Sequence, residues 1–241
     1  MAKNKYVDFV SDEDFLECVK TVCDKYSDDS KDWKGLKENG LDVFKLMFDM
    51  KNNKKTNTLK KWKKAEDTRQ KDKTVTNNIG NFHQILLGKV EGWDNLDDDK
   101  HKEIKKELKV DLMNTRKTKF IEIKNKSNTK TGTDLNRQYK KLKNITENYP
   151  KATAYFGFVL SKHSMDNTKD EVWESKGEKN EKVRKVWGSK LYELVTDKEN
   201  ALEQTWKALP KAIDHLLKPE KSVVSKEDKK EIKKLFKEGL G

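Results

Sequence analysis

Apolar residues recur at helical spacing through the first quarter of the chain. In the segments 12–26 and 40–50 they stand three or four positions apart, which places them on one face of a helix and favours packing of both segments into a helical layer. The lysine-rich stretch 51–73 has few apolar anchors, and we interpret it as a basic helix or a partly mobile loop. The pattern predicts a largely helical N-terminal part over residues 1–75.

Helices and short apolar runs alternate through the rest of the chain, which we assign as a catalytic core over residues 76–217. The stretch 74–93 begins with Thr and Asn residues that can cap a helix, and apolar residues follow at helical spacing. Beyond residue 130 the pattern predicts a helix over 132–149, a buried strand over 152–162, a polar loop over 166–185, a short strand over 190–197, an amphipathic helix over 199–217 and a C-terminal basic helix over 218–241. Such alternation predicts an α/β fold with a mixed central sheet flanked by helices, in a single domain over residues 1–241 with N- and C-terminal helical additions.

Residues 110–126 read VDLMNTRKTKFIEIKNK, which is two short apolar runs separated by a polar turn. Because side chains of a strand alternate between its faces, Glu122 and Lys124 share one face of the second run. Ile121 and Ile123 share the other, which we expect to face the core. The pattern therefore predicts a β-hairpin with its charged residues on one side.

The turn of this hairpin determines how the two runs pair. A loop over Asn114–Lys117 would pair Met113 with Thr118. Asp111 would then lie diagonal to Glu122, at a distance of about 7 Å. Two carboxylates would converge beside one ammonium group.

Asp111, Glu122 and Lys124 together form a candidate catalytic set. Converging carboxylates repel each other unless a cation lies between them, and their hard oxygens suit Mg²⁺ better than zinc. A lysine on the same face can position or help to deprotonate an attacking water, and it can screen the charge that builds on a phosphate. The set predicts phosphodiester hydrolysis. The alternative is an ordinary charged hairpin that faces water, because 40% of the chain is charged.

Basic residues are concentrated around this hairpin. The net charge is +12, and each of the windows 51–90 and 112–151 contains eleven Lys and Arg against three Asp and Glu, whereas 91–111 contains five against eight. This distribution is expected if phosphates must be drawn to a carboxylate pair.

No apolar run approaches the roughly 20 residues that cross a bilayer, and the N-terminus has no signal-peptide core, so we expect a cytoplasmic protein.

Three blocks of sequence resemble a known family. The strand-borne Asp111 followed by EIKNKSNT, with D…ExK on a central hairpin, resembles the PD-(D/E)XK nuclease superfamily. Together with the upstream NIGNFHQILLG and the downstream GSKLYELVTDKENAL, it is similar to the type II restriction endonucleases that recognise GGNCC. The blocks cover roughly residues 78–205. Val110 stands where the superfamily often has proline.

The resemblance implies a restriction-endonuclease-like fold and a homodimer that uses Mg²⁺ to cut both strands of a short palindromic site in double-stranded DNA. It implies that Asp111 and Glu122 bind the metal and that Lys124 is the catalytic lysine. It also implies a companion DNA methyltransferase that acts on the same site without forming a stable complex. Many members of the superfamily add an upstream acid, for which the weak candidates are Glu91, Glu103 and Glu107.

DNA contacts are harder to assign, since the chain has 54 Lys and Arg. The candidates close to the catalytic strand, for which phosphate contact is favoured over base reading, are Lys126, Asn128, Lys130 and Arg137. The last is expected on an outward basic helix face shared with Lys140 and Lys141. His83 and Gln84 could touch DNA or support the site. Two alternative functions stay open, a structure-specific or repair nuclease of the same fold and a non-catalytic basic DNA-binding protein.

Overall fold

Six strands form the centre of the structure, a computed structural model that describes residues 4–27, 43–53, 55–126, 132–160, 168–217 and a few positions between 225 and 235. The strands are β1 (Trp93–Asn95), β2 (Leu112–Asn114), β3 (Lys119–Lys126), β4 (Thr153–Leu160), β5 (Asp170–Ser175) and β6 (Glu178–Trp187). The helices are α1 (Asp12–Ser27), α2 (Val43–Asn52), α3 (Leu59–Gly88), α4 (Lys102–Leu108), α5 (Gly132–Asn148), α6 (Gly188–Thr196) and α7 (Ala201–Leu217), with a short 3₁₀ turn at Asp99–His101.

The sheet is mixed, with strand order β1-β2-β3-β4-β6-β5. β3, β4 and β6 run parallel, and antiparallel pairs complete the two edges. The connection from β3 to β4 passes through α5, as expected for parallel neighbours. The predicted mixed α/β sheet flanked by helices is therefore confirmed.

Both faces of the sheet are covered. On one face α5 contributes Tyr139, Leu142 and Ile145 to a core cluster that also contains Phe120. On the other face α6 approaches so closely that a Cβ built on Gly157 would lie 2.9 Å from Leu191 Cδ1. The prediction that only one face of the hairpin meets the core is wrong, because sheets of parallel strands are buried on both sides.

The chain divides into two compact units, Met1–Lys20 with Gly80–Gly241, and Thr21–Ile79. The first contains the whole sheet. The second is helical in its described part, and it contains α2 and the first two thirds of α3. Among the described helices, none combines the length and the apolar character needed to span a membrane.

The helices α1 and α2 are predicted correctly, but the packing of α2 is not. Met47 and Phe48, expected to pack, are 56% and 69% exposed. Within this unit the polar residue Asp49 of α2 faces α3, where Trp62 Nε1 donates a hydrogen bond to Asp49 Oδ2 at 3.1 Å. Helical spacing identified the element but not the side that packs.

The helix α3 is longer than the sequence suggested. Residues 59–73, the larger part of the stretch interpreted as a basic helix or a partly mobile loop, join the segment that follows in one helix of 30 residues, Leu59–Gly88. The expected caps are interior residues, since Thr74 Oγ1 donates to the carbonyl of Gln70 and Asn78 Nδ2 to that of Thr74. Such bonds to the preceding turn satisfy these side chains without ending the helix.

Two predictions in the C-terminal third are wrong. Residues 190–197 were expected to form a strand, but they belong to α6, in which Leu191, Tyr192 and Val195 are buried at spacing that also fits a helix. The expected polar loop over 166–185 is largely the hairpin of β5 and β6, whose two-residue turn has Lys176 and Gly177 at positive φ. Its polar composition reflects its place at the sheet edge. The basic helix predicted over 218–241 lies mainly outside the described residues.

Candidate active site

The pairing of β2 with β3 brings Asp111 next to Glu122. Leu112 pairs with Ile121 and Met113 with Phe120, so Asp111, the residue before β2, comes to lie beside Glu122. The predicted pairing of Met113 with Thr118 is therefore wrong by two residues. The turn is displaced because Asn114 remains in the strand.

The side chain of Asn114 closes this turn. Its Oδ1 accepts hydrogen bonds from the backbone N–H groups of Thr118 and Lys119, each at 2.8 Å. Lys117 takes a left-handed conformation with φ of 54°. Asn and Asp favour such local turns, and here the carboxamide fixes a four-residue loop over 115–118.

Backbone hydrogen bonds on both sides hold Asp111 in the sheet. Its N–H donates to the carbonyl of Ile121 at 2.9 Å, and its carbonyl accepts from the N–H of Leu96 at 2.9 Å. Its carboxylate Oδ2 also accepts from the N–H of Ile123 at 2.7 Å. The orientation of this carboxylate is thus set by the main chain of the neighbouring strand.

Three lysines surround the two carboxylates. Lys124 Nζ lies 2.7 Å from Glu122 Oε1 and 3.9 Å from Asp111 Oδ2. Lys105, on α4, donates to Asp111 Oδ1 at 2.8 Å. Lys141, on α5, donates to Glu122 Oε2 at 2.9 Å. The three residues that the sequence singled out lie together, and two further lysines join them.

Burial shapes the acid–base properties of the pair, since Asp111 and Glu122 are only 8% and 7% exposed. Burial and the negative charge of Glu122 raise the pKa of Asp111. Burial would also raise the pKa of Glu122, but the charges of Lys124 and Lys141 outweigh it and lower the pKa. Glu122 is thereby the carboxyl that stays ionised more readily.

The two neighbouring lysines are affected in opposite directions. Burial lowers the pKa of Lys141 even though Glu122 acts to raise it. Burial also acts to lower the pKa of Lys105, but the contacts with Asp111 and Asp97 outweigh it, so that this pKa is raised. The surroundings thus favour the ammonium form of Lys105 and disfavour that of Lys141.

The carboxylate pair suits a divalent cation. Two adjacent buried carboxylates repel each other, and three of their four oxygens accept an ammonium hydrogen at 2.7 to 2.9 Å. The ammonium groups show that positive charge is stabilised next to these carboxylate oxygens. Hard oxygen ligands of this kind fit Mg²⁺. No cluster of three His, Cys, Asp or Glu able to hold a metal occurs among the described residues.

None of the candidates for an upstream acid is buried as Asp111 and Glu122 are. Glu91, Glu103 and Glu107 are exposed, and Glu103 pairs with Lys106 at 2.7 Å. An acid that the sequence analysis did not consider, Asp97, connects to the site through Lys105 Nζ at 3.0 Å. It follows β1, in an acidic stretch where spacing alone gave no reason to select it.

Gln84 supports this connection from inside the protein. It is 8% exposed, and its Nε2 donates to Asn95 Oδ1 at 2.8 Å and to Asp97 Oδ2 at 2.6 Å. A Cβ built on Gly88 would lie 2.6 Å from Asn95 Cβ, so the end of α3 can approach this strand only because residue 88 is glycine. A chain of polar contacts thus runs from α3 to the acidic pair.

His83 points to a different neighbour. Its Nδ1 lies 2.6 Å from the hydroxyl of Tyr192, which is fully buried. Burial lowers the pKa of His83 to about 4, so the imidazole is neutral at physiological pH. Its contact supports the packing of α3 on α6.

The other candidate DNA contacts lie on the surface or outside the described residues. Lys126 ends β3 and is exposed, and Arg137 is exposed on α5. Asn128 and Lys130 fall outside the described residues. Lys141, expected on the outward basic face of α5, instead turns inward, because Glu122 and the carbonyl of Lys109 accept its ammonium hydrogens.

Comparison with known proteins identifies the family of this chain. The family model for Eco47II restriction endonuclease matches residues 7–218. The type II restriction enzyme Sau96I of Staphylococcus aureus is 32% identical over 225 residues, which cover 88% of this chain and 81% of that protein. The type II restriction enzyme Eco47II of Escherichia coli is 31% identical over 222 residues, which cover 88% of each. The chain belongs to the Eco47II restriction endonuclease family. As a member of that family it is a type II restriction enzyme, a site-specific endonuclease that acts on double-stranded DNA, and this agrees with its carboxylate pair and basic surroundings.

Proposed function

We propose that this protein hydrolyses phosphodiester bonds of double-stranded DNA in a Mg²⁺-dependent reaction at the palindromic site GGNCC. The convergence of Asp111, Glu122 and Lys124 in a member of the Eco47II family carries the proposal. The three sequence blocks that resemble GGNCC-recognising enzymes support the choice of site. A companion methyltransferase that protects the same site, without a stable complex, belongs to the proposal.

Asp111 and Glu122 are the residues that would hold the cation. The chemistry that a bound Mg²⁺ supplies at such a site is charge neutralisation on the phosphate and a more acidic attacking water. Ile123 N–H fixes one oxygen of Asp111, so that this carboxylate is already oriented before DNA arrives. Preorientation of this kind avoids reorganisation during the reaction.

Lys124 has a separate role in the proposal. Its ammonium group contacts both carboxylates, and its side chain is 28% exposed, so it can reach a phosphate that approaches from solvent. There it orients the attacking water and screens the negative charge that develops on the phosphate. A neutral side chain of the same length would lack both effects.

A homodimer accounts for the cutting of both strands. The described residues bring together one such carboxylate pair per chain, and a palindrome presents two strands related by a twofold axis. A symmetric pair of protomers places one site on each strand. Exposed Lys126 and Arg137, together with Asn128 and Lys130, are proposed to contact the phosphates next to the scissile bond.

Digestion of a plasmid with one GGNCC site tests the function. Purified protein with Mg²⁺ should linearise it and leave a plasmid without the site uncut, and EDTA should stop the reaction. Asp111→Asn, Glu122→Gln and Lys124→Met should each lower the rate by about 10³-fold or more, as removal of a catalytic group does. Lys106→Met, which removes an exposed lysine that pairs with Glu103, should cut normally.

Two results would contradict this proposal. A plasmid that carries every short palindrome and stays uncut with Mg²⁺ would exclude the activity. Cleavage of flaps or junctions without sequence preference would indicate a nuclease that reads DNA shape. Circular dichroism of each variant distinguishes lost chemistry from lost folding.

A further inference from the structure

Lys105 and Lys141 are not needed to explain the chemistry, yet both contact the acidic pair directly. Lys105 comes from α4 and bonds Asp111 Oδ1 at 2.8 Å, whereas Lys141 comes from α5 and bonds Glu122 Oε2 at 2.9 Å. Each lysine therefore ties one proposed metal ligand to a different helix. Their side chains are 27% and 22% exposed, so these ion pairs are shielded from most of the solvent.

The charges around the site are balanced before any cation binds. Three carboxylates, of Asp97, Asp111 and Glu122, face three ammonium groups within 4.0 Å. A divalent cation adds two positive charges to this balanced set. In a shielded site like charges at such distances interact strongly. Its binding is therefore opposed unless an ammonium group moves away from the carboxylates.

The two additional lysines have somewhere to go. Lys105 Nζ also contacts Asp97 Oδ1 at 3.0 Å, and Lys141 Nζ also contacts the carbonyl of Lys109 at 2.6 Å. Either ammonium can release its carboxylate and keep a second acceptor. Both described ion pairs of Lys124, in contrast, lie within the acidic pair.

We propose that Lys105 and Lys141 are positioning residues whose ammonium groups neutralise Asp111 and Glu122 when no metal is bound. A divalent cation then binds by displacing these ammonium groups from the two carboxylates. The proposal rests on the metal-binding pair of the proposed function. It assigns the two lysines a dual effect. They stabilise the metal-free site, and they weaken its affinity for the cation.

Mn²⁺ binding to the full-length protein without DNA tests this effect. Lys105→Met and Lys141→Met remove the charge and keep the length of the side chain. Each should bind Mn²⁺ about tenfold more tightly than the parent, measured by calorimetry or by the signal of free Mn²⁺ in electron paramagnetic resonance. Lys106→Met and Lys140→Met are the matched controls on the same two helices, and they should leave the affinity unchanged.

Thermal unfolding gives a second measurement. In EDTA both variants should melt below the parent, because a buried carboxylate has lost its partner, and saturating Mn²⁺ should remove most of the difference. A merely structural role would lower the melting temperature without tightening Mn²⁺ binding. If Lys141→Met does not fold, Lys141→Gln and the Lys105 variant carry the test.

Two outcomes distinguish this inference from the proposed function. Equal or weaker Mn²⁺ binding in both variants, in a parent enzyme that cuts GGNCC with Mg²⁺, overturns the inference alone. A parent that neither cuts DNA nor binds Mn²⁺, with variants that also bind none, overturns both. Tighter binding in the variants together with loss of binding in Asp111→Asn supports the displacement of the lysines by the cation.

Discussion

At the scale of single residues, two neighbouring carboxylates of the same chemistry are placed in different electrostatic surroundings. The pKa of Asp111 is raised by burial and by Glu122, whereas Lys124 and Lys141 lower that of Glu122 against the effect of burial. A group whose pKa is raised on folding destabilises the folded protein when it is ionised, and this cost disappears as the pH falls below its unfolded pKa. A group whose pKa is lowered stabilises the folded protein at neutral pH, and this gain is lost as the pH falls through the folded pKa.

Neutralising the two acids should therefore change stability in opposite directions. In EDTA at pH 7, Asp111→Asn should raise the melting temperature by ~2–4 °C, the shift that about 1 kcal/mol produces in a chain of this size. Glu122→Gln should lower it, with a loss of about 3 kcal/mol, because Lys141 loses its buried partner. Thermal melts between pH 4 and 8 measure both effects. A lower melting temperature in Asp111→Asn would contradict this assignment.

At the scale of elements, the sequence predicted the face of each strand better than the pairing between strands. The alternation of side chains placed Glu122 and Lys124 on the same face of β3. A shift of the pairing register by two residues leaves every side chain on its face, so this prediction did not depend on the register. The register depended on the turn, where Asn114 Oδ1 binds two backbone N–H groups. A short apolar run such as that in α6 fits a strand and a helix equally well. Lys105 and Lys141 could not be selected from sequence because their elements meet the site only in the folded protein.

The helix α3 offers a matched test of close packing. Gly88→Ala places a Cβ 2.6 Å from Asn95 Cβ and 3.1 Å from its backbone, which must move, whereas Gly80→Ala meets Asn125 Cβ at 3.8 Å. Gly88→Ala should destabilise the protein by about 1–3 kcal/mol through overpacking. Gly80→Ala should stabilise it by about 0.5–1 kcal/mol, because alanine is the better helix former.

Chemical unfolding in urea measures both glycine variants. Gly88→Ala should also slow DNA cutting, since the displaced strand end carries Asn95, to which Gln84 donates. Gly80→Ala should cut normally. Equal stability of the two variants would show that the end of α3 can shift away from β1 without cost.

At the scale of the whole molecule, charge is distributed unevenly along the chain. The net charge of +12 coexists with acidic segments, whereas each of the windows 51–90 and 112–151 contains eleven Lys and Arg against three Asp and Glu. Electrostatic attraction of this kind draws DNA without reading its sequence. Contacts to the bases are then what distinguishes one DNA sequence from another.

The salt dependence of DNA binding tests which exposed basic residues contact phosphate. Affinity for a GGNCC duplex, measured in EDTA so that no cutting occurs, should fall steeply and linearly on a plot of log K against log salt concentration. Arg137→Ala and Lys126→Ala should each reduce the slope by about one, and they should weaken binding to specific and non-specific duplexes alike. Lys179→Ala, in β6 and therefore two strands away from β3, should leave the slope unchanged. A loss confined to the GGNCC duplex would instead indicate that Arg137 or Lys126 reads a base, because phosphate contacts do not distinguish sequences.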